Sequence, residues 1–552
     1  MHSGFGFRVL ALALAGLIGV AACTSSGNGP TLAGTQELRV RLSNEPASFD
    51  PGQTQWDYEA AVARQTFEAL LRPSKDFKDV VGAAADKYSI DTTGTVYTFK
   101  LHRGAKWSDG LPVKASDFVY GFQRLLDPRV GAPYASYYYI IKNAATINGM
   151  DPNDPTLDTA MQTLGLKAID DTTFQVTLEA PAGSFKWVAS LWTSVPVRKD
   201  VVLKYGSGKW GSVAATAAQT VVGNGLYKIS EDVPKDHVTL VPNSNYSGSQ
   251  PKTTLTKITE YFIGDGTLAY TKYKNGELDM VGVPLANTEA VKNSPELLTI
   301  PQLVVFWVDI NVTKAPFDNP KVRLAFAQAI DRDSFVKNLE KGRGLAATSL
   351  IPRGMRNYRP DLGVPQAFTA GKAKATLALS GATAVSLNGV KFIYDSGDAS
   401  ITTIAQFLQA QFKTNLGVDV VLDPANSTTV NHRLRTGDYQ FGALSGWGAD
   451  YPDSQDWFDI FTTGSNNQLS HWSNKTYDAA VTAGDAGFDN AKRDASYQTA
   501  QQILVQEAPV MFLYQRTAWL MVKPYVKGII TTPNDDQWAG DYFTWSIQLA
   551  QH

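Results

Sequence analysis

One cysteine in 552 residues excludes a disulfide framework and leaves Cys23 to be explained alone. Histidine is almost as scarce: His2, His102, His237, His432, His471 and His552 are scattered, and none lies three to five residues from another, so no zinc signature can be built. No G-x-S-x-G elbow is present. The single G-x-G-x-x-G (Gly206, Gly208, Gly211) follows only Val201, Val202 and Leu203 as a possible strand, which fits a surface loop better than a dinucleotide fold. Charge of one sign is also missing. Fifty basic residues against fifty-two acidic ones, interspersed, give a net charge of −2 and no field that would attract nucleic acid. The chain has no internal repeat, and its only long apolar run lies at the start.

That run, Val9 to Ala22, follows Arg8 and ends at Cys23. It is the length of a signal-peptide core and short of the ~20 apolar residues that span a bilayer. The Gly/Ser/Thr-rich segment TSSGNGPTLAGTQ comes next and reads as a flexible linker over residues 23–36. The boundary Val20-Ala21-Ala22-Cys23 resembles a bacterial lipobox. That resemblance implies removal of residues 1–22 and a diacylglycerol on Cys23, which places the protein on the extracytoplasmic face of a cell membrane, anchored by lipid.

The roughly 530 residues that remain exceed one core, so two or three domains are expected. Aromatic residues reach 11%, with 12 Trp and 23 Tyr, enough to line a cleft as well as fill cores. Tyr97, Phe99 and Leu101 alternate with polar residues, as do Phe174, Val176 and Leu178, and both runs predict half-buried strands. Ser116 is placed to cap a helix carrying Phe118, Phe122, Leu125 and Leu126. Asn319-Pro320 opens a helix carrying Val322, Phe326, Ala329 and Ile330, and a face of Ile401, Ile404, Leu408 and Phe412 stops before Gly417. The pattern is α/β or α+β in several lobes.

Asp450, Asp453, Asp456 and Asp459 recur every three residues, the one arrangement that could suggest paired-carboxylate chemistry. A structural reading is stronger for three of them. Pro452 suits a first helical turn, and acids after it complement the helix dipole. Asp450 is left outside the helix and needs its own explanation. Catalytic and metal-ligating residues are therefore expected to be none, with no cofactor.

Seven collinear segments carry a resemblance: EPASFDP (45–51), AKWSDGLPVKASDFVYGFQRLLDP (105–128), PYASY (133–137), KAIDDTTFQVTLEAP (167–181), GNGLYKI (223–229), INVTKAPFDNPKVRLAFAQAIDRD (310–333) and GWGADYPD (446–453). Together they resemble the family 5 extracellular solute-binding proteins, a family that includes oligopeptide- and dipeptide-binding lipoproteins of ABC importers. The resemblance implies an α/β, periplasmic-binding-protein-like fold of type II, cluster C. One lobe would come from residues 32–67, 198–300 and 518–552, an appended domain from 68–197, and the opposing lobe from 301–517, with ligand engulfed as the lobes close.

For function the resemblance implies capture of peptides, with oligopeptides foremost, and delivery to the permease and ATPase subunits of an ABC transporter by a monomer that carries out no chemistry. Asp450 matches the aspartate that holds the peptide's N-terminal ammonium. Trp447 and Gly446 in the same segment, Tyr134 in PYASY, Trp56 beyond FDP, and Arg435 match positions along the bound ligand. Leu444 and Ser400 stand where oligopeptide-binding relatives carry an arginine and a histidine that recognise carboxylates, which points to a grip on the N-terminus alone. The alternatives are a peptide-sensing lipoprotein and a binder of another solute, such as a nickel chelate or haem.

Overall fold

The computed structural model describes residues 31–207, 210–212 and 217–552. The apolar leader, Cys23 and most of the linker lie outside these residues, as does Gly208 of the glycine motif. What precedes that motif is a helix, Lys199–Tyr205, rather than a strand.

The chain opens with β1 (Glu37–Leu42), whose Leu38, Val40 and Leu42 are fully buried while Glu37, Arg39 and Arg41 stay half-exposed. Helix α1 (Asp57–Thr66) follows, its start fixed by the Glu59 carboxylate, which accepts from the Gln55 and Trp56 amides at 2.7 and 3.0 Å. Next come β2 (Ala85–Ile90), β3 (Val96–Leu101), α2 (Ala115–Leu126), β4 (Leu166–Asp170) and β5 (Thr173–Thr177). These strands form an antiparallel sheet in the order β2-β3-β5-β4. Helix α2 buries Phe118, Phe122, Leu125 and Leu126, the face read from the sequence, and sets Phe118 and Phe122 on Phe174 of β5 with ring centroids 5.9 and 5.4 Å apart. Ser116 sits inside the first turn rather than capping it. Asp117 instead accepts from the Lys114 amide at 2.9 Å.

The chain then returns to β1. Strands β6 (Tyr227–Val233), β7 (His237–Pro242) and β8 (Lys257–Phe262) complete a sheet ordered β1-β8-β7-β6, with β1 and β8 parallel. One apolar core runs without a break beneath this sheet, α2 and the β2–β5 sheet.

The strands of the largest sheet are β9 (Met280–Gly282), β10 (Leu297–Ile310), β11 (Gly344–Ala346), β12 (Lys391–Asp395), β13 (Val421–Ala425), β14 (Phe441–Gly448) and β15 (Val510–Val522). They form a seven-stranded sheet in the order β9-β15-β10-β14-β12-β13, with β11 beside β15. Both faces are covered. Val308, Ile310, Met511 and Leu513 enter one core, while Val305, Trp307, Val510 and Phe512 enter another. That double burial explains the apolar run VVFWVDI. Helix α3 (Pro320–Gln328) begins at Asn319, which accepts from the Lys321 amide at 3.0 Å, and α4 (Ala399–Leu416) ends on Gly417 at φ 79°, a conformation suited to glycine.

Strands β10 and β15 are long because each passes from one core to another. Ile300 and Leu520 belong to the core under β1, whereas Val308 and Leu513 belong to the core of the large sheet. Their antiparallel ladder breaks between Pro301 and Val305. Gln302, Leu303 and Val304 therefore bulge out of register. The bulge is fixed by amide side chains: Gln515 Nε2 donates to the Gln302 carbonyl at 2.8 Å, and Gln302 Nε2 donates to the Asp535 carbonyl at 3.0 Å.

Candidate functional site

A cavity of about 190 Å³ opens at this bulge. Each part of the chain contributes to its wall: Asp57, Ala60 and Arg64 from α1, Tyr134 and Trp192 from the region of the β2–β5 sheet, Leu303 and Val304 from the bulge, Gly448, Ala449 and Asp450 at the end of β14, Arg516 on β15, and Asn534, Asp536 and Tyr542 near the C-terminus. The loop carrying Asp450 is pinned by the backbone. Ala449 N donates to the Leu303 carbonyl at 2.8 Å, and Asn534 Nδ2 donates to the Ala449 carbonyl at 2.8 Å.

Asp450 accepts from the Tyr134 hydroxyl at 2.7 Å and from the Tyr137 hydroxyl, and the two tyrosine rings stack 5.0 Å apart. Its backbone amide donates to Asp456 Oδ2 at 3.1 Å, and Trp447 Nε1 donates to the same oxygen at 3.2 Å. Burial pushes the Asp450 carboxyl above its usual range even though both hydroxyls favour the charged form. Asp456 is pushed higher still, by burial first and then by the charge of Asp450. Among the described residues neither carboxyl is bonded to a lysine, arginine or histidine.

The rest of the cavity is charge-balanced. Asp57 is raised to about 7 by burial and by a hydrogen bond with Asp536, whereas Asp536 is held below the usual range, against burial, by Asp57 and Arg516. Arg516 donates to Asp536 at 2.7 Å and to Gln302 at 2.7 Å. Arg64 pairs with Asp541 and lies 4.3 Å over the ring of Tyr542. Asp57 is linked through Asp536 to Arg516, whereas the Asp450 carboxylate is bonded to tyrosine hydroxyls alone. A cationic donor fits there best: a tyrosine hydroxyl can donate to the carboxylate while its oxygen accepts from an approaching N–H.

The sequence-derived residues divide. Asp450 and Tyr134 meet in the cavity wall, and Trp447 stands immediately behind Asp450 through Asp456. Gly446 does not line the cavity. It packs face-on against Phe306, where an added Cβ would come within 2.6 Å of the ring. Trp56 does not line the cavity: its indole is 55% exposed beside the start of α1, and the next residue, Asp57, faces the cavity. Arg435 does not line it either. It lies exposed on a helix (Ser427–Thr436) away from the cavity, bonded weakly to the Asn466 carbonyl at 3.4 Å. The dipole reading of the later aspartates also changes. The helix after Pro452 is one turn, Gln455–Phe458, and Asp453 instead forms a two-pronged pair with Arg493 at 2.8 and 2.6 Å. Sequence reasoning passed over Tyr137, Asp456, Trp192 and Arg516. Tyr137 carried a signal in that it closes the quoted PYASY segment, and Asp456 in the three-residue recurrence of acids, where it was read as structural.

Among the described residues there is no group of three or more His, Cys, Asp or Glu that could hold a metal ion, and no helix long and apolar enough to cross a membrane. The family model for bacterial extracellular solute-binding proteins, family 5, matches residues 79–468. The oligopeptide-binding protein OppA of Bacillus subtilis is 29% identical over 95% of this chain and 96% of its own length. The probable deoxycholate-binding periplasmic protein YgiS of Escherichia coli is 30% identical over 91% and 92%. Of solved structures, the murein tripeptide-binding protein MppA in its unliganded open form superposes with a TM-score of 0.81 at 26% identity, covering 95% of this chain and 99% of that one. OppA of Haemophilus influenzae in complex with the peptide RPPGFSPFR superposes at 0.71 with 25% identity, covering 94% and 100%. With its two-lobed, periplasmic-binding-protein-like architecture and a match across most of its length, the chain belongs to the family 5 bacterial extracellular solute-binding proteins.

Proposed function

We propose that this protein captures peptides outside the cytoplasm, holds their N-terminal ammonium on Asp450, and delivers them to the permease and ATPase subunits of an ABC importer. The observation that carries the reading is a partly buried carboxylate in a cavity wall whose partners are all neutral. The names of the relatives support peptides as the ligand class. Backbone pairing and capture of one end allow many sequences to bind, because side chains need only wet, roomy pockets.

In this reading residues 32–67, 198–300 and 518–552 form one lobe, 68–197 an appended domain and 301–517 the opposing lobe. The proposed boundary at 301 and 517 coincides with the break in the β10–β15 ladder. The higher superposition on the unliganded open form supports an open, ligand-free state. No covalent step is assigned to the protein, and turnover belongs to the importer. The lipobox-like boundary supports an anchor on Cys23, and a monomer suits a hinge-closing binder.

A non-peptide solute is the second reading, favoured by the similarity to the probable deoxycholate-binding protein. Calorimetry separates the two. A free-amine peptide binds, its N-acetylated form binds far more weakly, and Asp450→Asn imitates acetylation. Equal binding of the two forms removes the ammonium role, and binding of a bile acid with no response to Asp450→Asn favours the second reading.

A further inference from the structure

Behind the Asp450 loop lies a second opening, of about 360 Å³, that shares no lining residue with the first cavity. Tyr137 and Asp456 connect the two. Tyr137 gives its hydroxyl to Asp450 and lines this opening, while Asp456 accepts the Asp450 amide and also faces it.

Its wall has an unusual composition. Tyr137, Trp447 and Tyr451 supply aromatic faces, Asp456 and Asp459 supply carboxyl groups, and no lysine, arginine or histidine lines it. Asp456 is only 6% exposed. Its Oδ2 takes both available N–H groups, from Trp447 and Asp450, and its Oδ1 takes none. Asp459 is hydrogen-bonded to Asp485 rather than to a base. The Arg493 guanidinium is committed to Asp453 by two bonds and to Tyr497 by a third at 3.3 Å. A carboxylate this buried is costly without a cation, and aromatic faces around a carboxylate form the setting in which a desolvated ammonium or guanidinium binds most favourably.

We propose that this opening is a subsite for a cationic ligand group, the amine or guanidinium of a basic side chain near the peptide's N-terminus, received by Asp456 between the rings of Tyr137, Trp447 and Tyr451. The proposal rests on the peptide reading above and adds a preference to it. A ligand engaging both openings would bring two positive charges to Asp450 and Asp456, which otherwise repel each other.

The test is calorimetry on the full-length protein with peptides of one length in which lysine is moved through the first three positions and compared with norleucine, which keeps the chain and loses the charge. The expected result is at least tenfold tighter binding of the lysine peptide at one position, a gain that shrinks to near unity in Asp456→Asn and persists in the wild type at a salt concentration that screens exposed charges. Asp459→Asn provides a second variant and is expected to reduce the same ratio partly. Equal binding of lysine and norleucine peptides by the wild type at all three positions overturns the subsite. So does an Asp456→Asn protein that keeps the full lysine preference. Failure of the peptide reading looks different, because the norleucine peptides would then not bind in a manner sensitive to N-acetylation.

Discussion

Asp450 and Asp453 lie three residues apart in one loop and have opposite surroundings. Asp453 is 4% exposed and gripped at both oxygens by Arg493, itself 1% exposed, so its charge is compensated within the fold. Asp450 meets only two tyrosine hydroxyls and has a second carboxyl, Asp456, against its backbone. The first acid ties its loop to the helix Asn490–Glu507 and has no capacity left for a ligand. The second is kept partly unsatisfied, which costs stability in the free protein and is the condition for binding a cation strongly.

Breaking the structural pair should have the largest effect. Arg493→Ala leaves a buried carboxylate alone and is expected to lower stability by about 3–5 kcal/mol, seen as a large drop in the urea midpoint. A change below about 1 kcal/mol would mean that Asp453 relaxes to water and that the two aspartates are not opposites. Asp450→Asn should do the reverse. Stability should stay within about 1 kcal/mol of wild type or rise, while affinity for a free-amine peptide falls by about 2–5 kcal/mol. Simultaneous loss of both would make Asp450 structural.

Acidity gives the next effect in size. Burial raises Asp309 and Glu68 to about 7 and Asp57, aided by Asp536, also to about 7. A carboxyl with a raised folded-state value keeps its proton while the unfolded chain has lost it. The stability these three groups contribute is therefore present below about pH 4 and is lost as pH rises to about 7. Melting temperatures at pH 5 and pH 8 should show the lower pH to be the more stable, and the opposite order would contradict the burial account. Asp450 is itself raised, so peptide affinity should weaken as pH is lowered through its titration, where the carboxyl protonates. The smallest effect is expected from Tyr137→Phe. Removing one donor raises Asp450 further, so the pH at which affinity fades should shift upward, with about 0.5–1.5 kcal/mol lost at the least favourable pH. An unmoved midpoint would place the Tyr137 hydroxyl outside the electrostatics of the site.

Local pattern revealed much of the architecture. The face Phe118/Phe122/Leu125 and the Gly417 stop each depend on contacts or φ values fixed within a few residues and appear where periodicity predicts, whereas α3 carries Val322 and Phe326 but ends at Gln328, which leaves Ile330 buried just beyond it. Strand β10 was hidden because both of its faces are buried and it shows neither helical nor alternating period. The site was harder to read for the same reason that it works. Tyr137 and Asp450 are 313 residues apart in the chain, and no local rule joins them. The acid spacing also misled, since three-residue recurrence implies a helix face only where the helix outlasts one turn, and this one does not. Trp56 was named for its place beyond FDP, and at the start of α1 its indole stands in water while Asp57, beside it, lines the cavity.

The most direct measurement is a double cycle in calorimetry, crossing wild type and Asp450→Asn with one peptide in its free-amine and N-acetylated forms. If Asp450 receives the ammonium, acetylation costs the wild type about 2–5 kcal/mol and costs the variant almost nothing, so that the coupling equals nearly the whole loss. If acetylation costs both proteins the same amount, Asp450 is not the partner of the peptide's N-terminus.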